Sequence, residues 1–339
     1  MKYTNAENEH HTESLSLYQM DCMECMKLIP DKSQHLIIVD PPYFEVKGGF
    51  DFIWSSFEEY LKDVEKWAIE LKRILADNGS LFWWGNTKKI AYSQIILDKY
   101  FFLENSMVWR KQDSMQYQYY SVELSRSFNT HTEKLLFYSN DYEPSDWNKT
   151  GLERVMEEKI KPRHPFALYM RDEFEKAGVK NREIASLFPS KTGGLTGCVS
   201  NWLNGENTPT KEQYLKMRDL LNGEYLRKEY EELRKEYEEQ RRYFNNVSKF
   251  EDVLEFGQQS NITRKHDHPT QKAPNLCKAL VQTCSKKGQN CFIPFMGSAV
   301  EVIEAYNHGL NVTGCELDAD YFKAGVERVE AETRQLTLF

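Results

Sequence analysis

Four consecutive apolar residues, Leu36-Ile37-Ile38-Val39, run directly into Asp40-Pro41-Pro42-Tyr43. No other feature restricts the fold as much. A strand that is apolar at every position has no face for water, so it belongs inside a parallel sheet covered on both sides. Neither proline can donate a ladder hydrogen bond, so the chain must leave the sheet there. Asp40 therefore stands at the carboxyl end of a central strand, the edge where open α/β sheets bind their ligands.

The surrounding pattern agrees. Residues 16–21 read as a short strand ending at Asp21, followed by a helix start. Residues 57–76 carry Tyr60, Leu61, Val64, Trp67, Ala68, Leu71, Ile74 and Leu75 at helical spacing, and Asp77-Asn78-Gly79 predicts a turn that ends the helix. Strands are expected at Ser80–Trp84, Val108-Trp109 and Lys134–Tyr138, with a helix over 88–98. After Pro274 the alternation returns: helix at 276–284, strand at 290–293, helix at 301–308, strand at 312–316 and helix at 321–334. Alternating strands and helices imply parallel α/β architecture. Residues 15–140 and 262–334 are thus one domain, and residues 141–261 a polar, helical insert. Residues 1–14 read as a flexible tail, and 335–339 as a C-terminal tail.

Within the insert, helices are expected over 170–178, 180–188 and 195–203. Their spacing resembles a helix-turn-helix, which would turn residues 195–203 toward a major groove. Lys191, Thr192, Asn201 and Asn204 are then candidate DNA contacts; the alternative is a small bundle that pads the insert. Residues 227–240 repeat a heptad, with Leu226, Tyr230, Leu233 and Tyr237 at 4-3-4 spacing. Two heptads fit either a helix docked along one edge or a short homodimer seam.

Composition excludes several classes. The chain has 339 residues, enough for two or three domains at about 100–200 residues each. No apolar run approaches the roughly 18 residues of a spanning helix, so no membrane partner is expected. The N-terminus lacks a basic region and an apolar core, so no secretory signal is read. Seven cysteines at irregular spacing suit a reducing cytoplasm. Cys22 and Cys25 have metal-like spacing but no matching second pair, so no metal is expected. Lys plus Arg is 44 against 52 Asp plus Glu, a net charge of −8. That argues against non-specific coating of DNA and leaves room for a local basic cleft, with Lys47, Arg110, Lys111, Arg126, Lys191 and Arg264 as candidates.

Asp40-Pro41-Pro42-Tyr43 resembles the catalytic motif of amino-group methyltransferases that act on adenine N6 in DNA. The lone pair of an exocyclic amine is delocalised into the ring, so the amine is a poor nucleophile. A carboxylate accepting one N–H and a backbone carbonyl accepting the other draw the nitrogen toward tetrahedral geometry. The resemblance gives these roles to Asp40 and the carbonyl of Pro41, with Pro42 holding that carbonyl outward and Tyr43, or Phe44 beside it, stacking on a flipped base. Pro294-Phe295-Met296-Gly297-Ser298 resembles the cofactor loop of the same family, and Glu316 at the next strand end suits ribose hydroxyls. The implied ligand is S-adenosylmethionine. His268-Pro269-Thr270-Gln271-Lys272 resembles the segment that encloses the methionine part of that ligand, with His268, Thr270 and Lys272 as candidates. Asp21 is placed to meet the adenine, or else to cap the following helix.

Catalytic motif first, insert second and cofactor loop last is the circularly permuted order of the β-class adenine methyltransferases. The resemblance implies a Rossmann-like methyltransferase with a mostly parallel seven-stranded sheet, a helical target-recognition insert and double-stranded DNA as partner. Three positions depart from the family pattern. Ile293 stands where Asp is common, Ala299 and Val300 stand where Gly and Thr are common, and Ala273 follows the Lys where Pro is usual. Ala299 predicts a loop without positive φ at that position. Two alternatives remain: a cytosine N4-methyltransferase, which usually has Ser at the Asp40 position, and a non-catalytic DNA-binding regulator on the same sheet. The terminal Gln335-Leu336-Thr337-Leu338-Phe339 resembles the peptide by which bacterial DNA enzymes dock on the sliding clamp, through Gln335, Leu336, Leu338 and Phe339.

Overall fold

The computed structural model describes residues 4–6, 9–45, 53–112, 131–140, 164–257 and 271–333. His268, Thr270, Lys47, Arg126, Arg264 and the clamp-like residues Gln335, Leu336, Leu338 and Phe339 lie outside the described residues. The chain forms two compact units, one of residues 1–144 and 242–339, the other of residues 145–241.

The first unit is built on one sheet. Its strands are β1 (Thr4–Ala6), β2 (Glu9–His11), β3 (Leu15–Gln19), β4 (Gln34–Val39), β5 (Leu75–Gly85), β6 (Phe102–Gln112), β7 (Thr132–Ser139), β8 (Val253–Gly257), β9 (Asn290–Ile293) and β10 (Asn311–Glu316). Their order is β1-β2-β3-β10-β9-β4-β5-β7-β6-β8. Helices α1 (Cys22–Lys27), α2 (Phe57–Ile74) and α3 (Ile90–Leu97) precede the insert; α9 (Pro274–Cys284), α10 (Val300–Asn307) and α11 (Ala319–Thr333) follow it. As the apolar run requires, β4 is central, paired in parallel with β5 on one side and β9 on the other. Leu36 and Ile38 enter one apolar core and Ile37 and Val39 the other, so side chains alternate between two buried faces.

The sheet departs from the expected mostly parallel seven strands: among the described residues it has ten, and four of the nine pairings are antiparallel. β7 follows β6 in the chain and lies beside it, inserted against β5, so its direction is reversed. At the other edge, residues 9–11 form a strand where a flexible tail was expected. β3 would otherwise present unpaired backbone groups, and β2 covers them with His10 buried at 3% exposure. The insert is also shorter than expected, because Val253–Gly257 pairs in parallel with β6 and buries Leu254.

Asp77-Asn78-Gly79 is not a turn after a helix but part of β5. α2 passes straight into the strand at Leu75, and the pairing with β4 jumps from Gln34↔Leu75 to Leu36↔Ser80, a bulge. A Cβ on Gly79 would lie 2.5 Å from the Leu75 side chain and 3.0 Å from the Ala76 carbonyl, so the bulge needs glycine.

The second unit holds α4 (Pro165–Ala177), α5 (Asn181–Ala185), α6 (Cys198–Leu203), α7 (Lys211–Leu220) and α8 (Tyr230–Gln240). Phe166, Met170, Ile184, Trp202, Tyr214 and Met217 form its core. Leu226 and Leu233 are fully buried there, with Tyr230 and Tyr237 packed beside them. The heptad seam is therefore spent inside its own unit, which corrects its use as a homodimer seam. Residues 186–197 separate α5 from α6, longer than the three- or four-residue turn of a helix-turn-helix. This segment closes on itself: Pro189 pairs with Leu195, Gly194 donates to Ser190 Oγ at 3.0 Å, and the Thr196 hydroxyl donates to the Phe188 carbonyl at 2.9 Å.

Candidate active site

Strand order decides what meets what. β3, β10, β9, β4 and β5 run parallel side by side, so their carboxyl ends share one edge of the sheet. That edge brings together Asp21 after β3, Glu316 at the end of β10, the Pro294–Ser298 loop after β9, and Asp40 after β4.

Asp40 is held on both oxygens. Lys272 Nζ lies 2.5 Å from Oδ2, and the Tyr43 hydroxyl donates a short bond to Oδ1. Lys272 also donates to the Tyr43 hydroxyl at 3.2 Å. Its ammonium sits 5.0 Å from the centre of the Trp84 ring and 5.5 Å from that of Tyr43. Lys272 is 1% exposed, against 21% for Asp40, so the carboxylate has an open side and the lysine has none. A second carboxylate, Glu133 at the start of β7, reaches Lys272 at 3.3 Å and is itself paired with Lys111 of β6.

The charges follow from this packing. Burial pushes the Asp40 carboxyl upward and the Glu133 charge adds to that, while Lys272 and Tyr43 pull it back; the net shift is up. Burial opposes the Lys272 ammonium, but the Asp40 and Glu133 carboxylates outweigh it and keep the lysine protonated. Burial likewise disfavours ionised Glu133, yet Lys272 and Lys111 hold its pKa below the ordinary value. Glu301, in the first turn of α10, receives a 3.6 Å contact from the Cys277 thiol. Burial and the Asp40 charge push it up to about 7.

The glycine loop is tight. Met296 N–H donates to the Cys315 carbonyl and Ala299 N–H to the Met296 carbonyl at 2.7 Å. Glu316 accepts Gly297 N–H on one oxygen and Asp318 N–H on the other, both at 3.0 Å. Phe295 packs edge-on against Trp67, Pro294 accepts from the Cys315 thiol, and Ser298 accepts from Arg328 through its carbonyl. Ala299 has φ of 58°, in the left-handed region, which overturns the expectation of a loop without positive φ there. The turn into α10 imposes this conformation whatever the residue, and alanine bears a cost of roughly 1–2 kcal/mol that glycine would not. Gly325 of α11 explains how close the loop sits: a Cβ there would be 3.1 Å from the Gly297 carbonyl. At Ala273 the departure is a shift by one, with Pro274 as the first residue of α9.

Other expected residues divide. Asp21 caps α1 by accepting Met23 N–H at 2.8 Å. Phe44 does not face the site: it is 6% exposed, packed among Trp54, Phe57 and Tyr60, with Lys89 4.5 Å over its ring. Burial in that aromatic cluster removes it as a base-stacking group and leaves Tyr43. In the second unit, Lys191 and Thr192 are exposed on the turn, whereas Asn204 Oδ1 accepts from Arg171 at 3.4 Å. Of the candidate cleft cations, Arg110 pairs with Glu255 and Lys111 with Glu133. Cys22 and Cys25 are buried on α1, and no metal-holding group is present among the described residues.

The edge fits a nucleoside-bearing ligand. It has a glycine turn, a carboxylate at the end of β10, and a buried polar group without a hydrogen bond, the Trp84 indole N–H. Sequence reasoning does not point to Glu133, Trp84 or Glu301 as site residues, and it marks Lys111 only as a cation of the DNA cleft. The only signal for Glu133 is an acidic residue one position ahead of Lys134 and the apolar Leu135–Tyr138 run.

Comparison with known proteins agrees with this geometry. The chain is 22% identical over 306 residues to the Type II methyltransferase M1.MboII of Moraxella bovis, covering 90% of this chain and 92% of that one. It is 20% identical over 324 residues to the DNA adenine methyltransferase YhdJ of Escherichia coli K12, covering 94% and 83%. The solved PvuII DNA methyltransferase, cytosine-N4-specific, shares the fold with a TM-score of 0.54 at 12% identity, over 95% of this chain and 91% of that one. Residues 34–327, which include Asp40, the glycine loop and Glu316, match the DNA methylase family, and the chain belongs to it.

Proposed function

We propose that the protein methylates N6 of an adenine flipped out of double-stranded DNA, at a specific site, in the permuted motif order of the β class. The observation that carries this reading is Asp40: a carboxylate, not a serine, at the carboxyl end of the central strand, oriented by Lys272 and Tyr43 and open on one side. S-adenosylmethionine supplies a methyl group on a positively charged sulfur when bound. Glu316 is the partner for its ribose hydroxyls, Asp21 for its adenine, and Pro294, Phe295, Gly297 and Ser298 form its wall, with His268 and Thr270 on the methionine side. Lys272 acts on Asp40.

Asp40 accepts one N–H of the target amine and the Pro41 carbonyl the other, which localises the nitrogen lone pair. Asp40 is also the acceptor at hand for the proton that the methylated nitrogen sheds. Tyr43, fixed through its hydroxyl beside the carboxylate, supports a ring stack worth about 1–3 kcal/mol against a flipping cost of a few kcal/mol. The second unit serves as the target-recognition region, with Lys191 and Thr192 on its exposed turn as the first contacts to test. The tail through Gln335, Leu336, Leu338 and Phe339 serves as a tether to the sliding clamp; absence of saturable binding by a peptide of residues 330–339 refutes that part alone.

Asp40→Ala is expected to abolish methyl transfer and leave S-adenosylmethionine affinity, read by calorimetry, within a few-fold. Full activity of that variant refutes the assignment. Methylation of a defined genome by the purified protein, followed by sequencing that distinguishes N6-methyladenine from N4-methylcytosine, reports the base and the site together.

A further inference from the structure

We propose that Glu133 is a positioning residue that sets, through Lys272, how strongly Asp40 accepts the target amine. This rests on the reading of Asp40 as the carboxylate that receives the amine. Lys272 has almost no access to water, so its charge must be balanced by protein groups. Two carboxylates share it from different parts of the sheet, Asp40 at 2.5 Å after β4 and Glu133 at 3.3 Å on β7. Lys111 of β6 fixes the other oxygen of Glu133. A line of alternating charge, Lys111–Glu133–Lys272–Asp40, thus runs from the antiparallel half of the sheet to the catalytic corner.

The sharing has a chemical purpose. A buried lysine devoted to Asp40 alone would quench the carboxylate as a hydrogen-bond acceptor. A lysine with a second anion beside it still orients Asp40 but neutralises it only in part. The Trp84 and Tyr43 rings wall in the ammonium and limit its movement toward either partner. The other titratable groups around the cluster are the Tyr43 hydroxyl, Glu301 of α10, and Cys277 of α9, which contacts Glu301.

The sign of the effect is fixed. Glu133 is a negative charge near Asp40 and raises its pKa, so removing the charge lowers it. Glu133→Gln should therefore shift the acid limb of the kcat profile to lower pH, by about 0.5–1 unit, while cutting the plateau rate about tenfold or more because Asp40 is a weaker acceptor. A residue that merely props the fold would not move that limb.

The test is single-turnover methyl transfer from labelled S-adenosylmethionine to plasmid DNA free of N6-methyladenine, from pH 5 to 9. A Glu301→Gln background removes the neighbouring carboxyl that burial and the Asp40 charge push up to about 7. Glu133→Gln should show the displaced limb and lowered plateau with S-adenosylmethionine affinity within threefold. Glu133→Asp, whose carboxylate is drawn back from Lys272, should show a smaller shift of the same sign. If Glu133→Gln does not fold, Glu133→Asp decides alone. A limb at the wild-type position in the folded variants, with Asp40→Ala inactive, overturns the role of Glu133 and leaves the function standing. An active Asp40→Ala overturns the function itself.

Discussion

Replacing Lys272 by methionine removes the buried cation between two part-buried carboxylates and keeps the volume and apolar stem of the side chain. Lys272 is 1% exposed, with Asp40 at 2.5 Å and Glu133 at 3.3 Å. Taking one partner from a buried ion pair costs about 3–5 kcal/mol, because the remaining charge is left uncompensated. Lys111 still compensates Glu133 from the far side, so the burden falls on Asp40. Asp40 can escape it by binding a proton, since its pKa is already raised by burial and rises further without the lysine. In the unfolded chain the same group is ionised above pH 4, so the folded variant binds more protons and its stability must fall as pH rises. Each pH unit is worth up to about 1.4 kcal/mol, so moving from pH 8 to pH 6 should return up to about 3 kcal/mol of the loss. Urea unfolding of wild type and Lys272→Met at both pH values measures this directly. A penalty below about 1 kcal/mol at pH 8, or one of equal size at pH 6, would show that the pair is not a buried, charged contact and would refute the argument.

Gly325→Ala places a Cβ 2.9 Å from the Met296 methyl and 3.1 Å from the Gly297 carbonyl, so α11 must push on the glycine loop. S-adenosylmethionine affinity should drop about tenfold by calorimetry, since a shift near 1 Å at a positioned contact costs on that order or more; an unchanged Kd refutes the placement of the ligand against this loop. Ala299→Gly relieves a left-handed residue but loses a fully buried methyl, effects of about 1–2 and 0.8 kcal/mol, so stability should change by no more than about 1 kcal/mol. Ala299→Val, β-branched at the same φ, should lose about 2 kcal/mol or more by thermal unfolding. A stable valine variant would mean that the turn can relax out of the left-handed region.

What could be read in advance was what local pattern encodes. An apolar run ended by two prolines specifies a central strand and its exit, and β4 with Asp40 at its end follows from residues 36–42 alone. Tyr60, Val64, Trp67, Ala68, Leu71 and Ile74 are all buried on α2 as their spacing requires. The errors lie where tertiary pairing overrides local chemistry. Asp77-Asn78-Gly79 has turn composition and becomes a bulge, because β4 beside it holds the chain in the sheet. Residues 9–11 and 253–257 are too short to announce themselves as strands and exist because β3 and β6 offer open edges.

The cluster around Asp40 was half legible for a related reason. Asp40 and Lys272 belong to separate sequence motifs, one resembling a catalytic tetrapeptide and one a cofactor segment. They are 232 positions apart in the chain and 2.5 Å apart in space. No periodicity reports a contact of that kind, and Glu133 carried even less signal as a lone acid before a strand. The net charge of −8 misleads in the same way. It invites a search for spare cations near the site, yet Arg110 and Lys111 are bound to Glu255 and Glu133. Among the described residues these two cations are consumed in ion pairs, and the positive field they offer to phosphates is correspondingly small. DNA affinity should then fall only shallowly with salt, with a slope of a few phosphate contacts where tight electrostatic coating would give ten or so. On the proposed function, the energy that holds the target base then comes from stacking and from contacts other than these two cations.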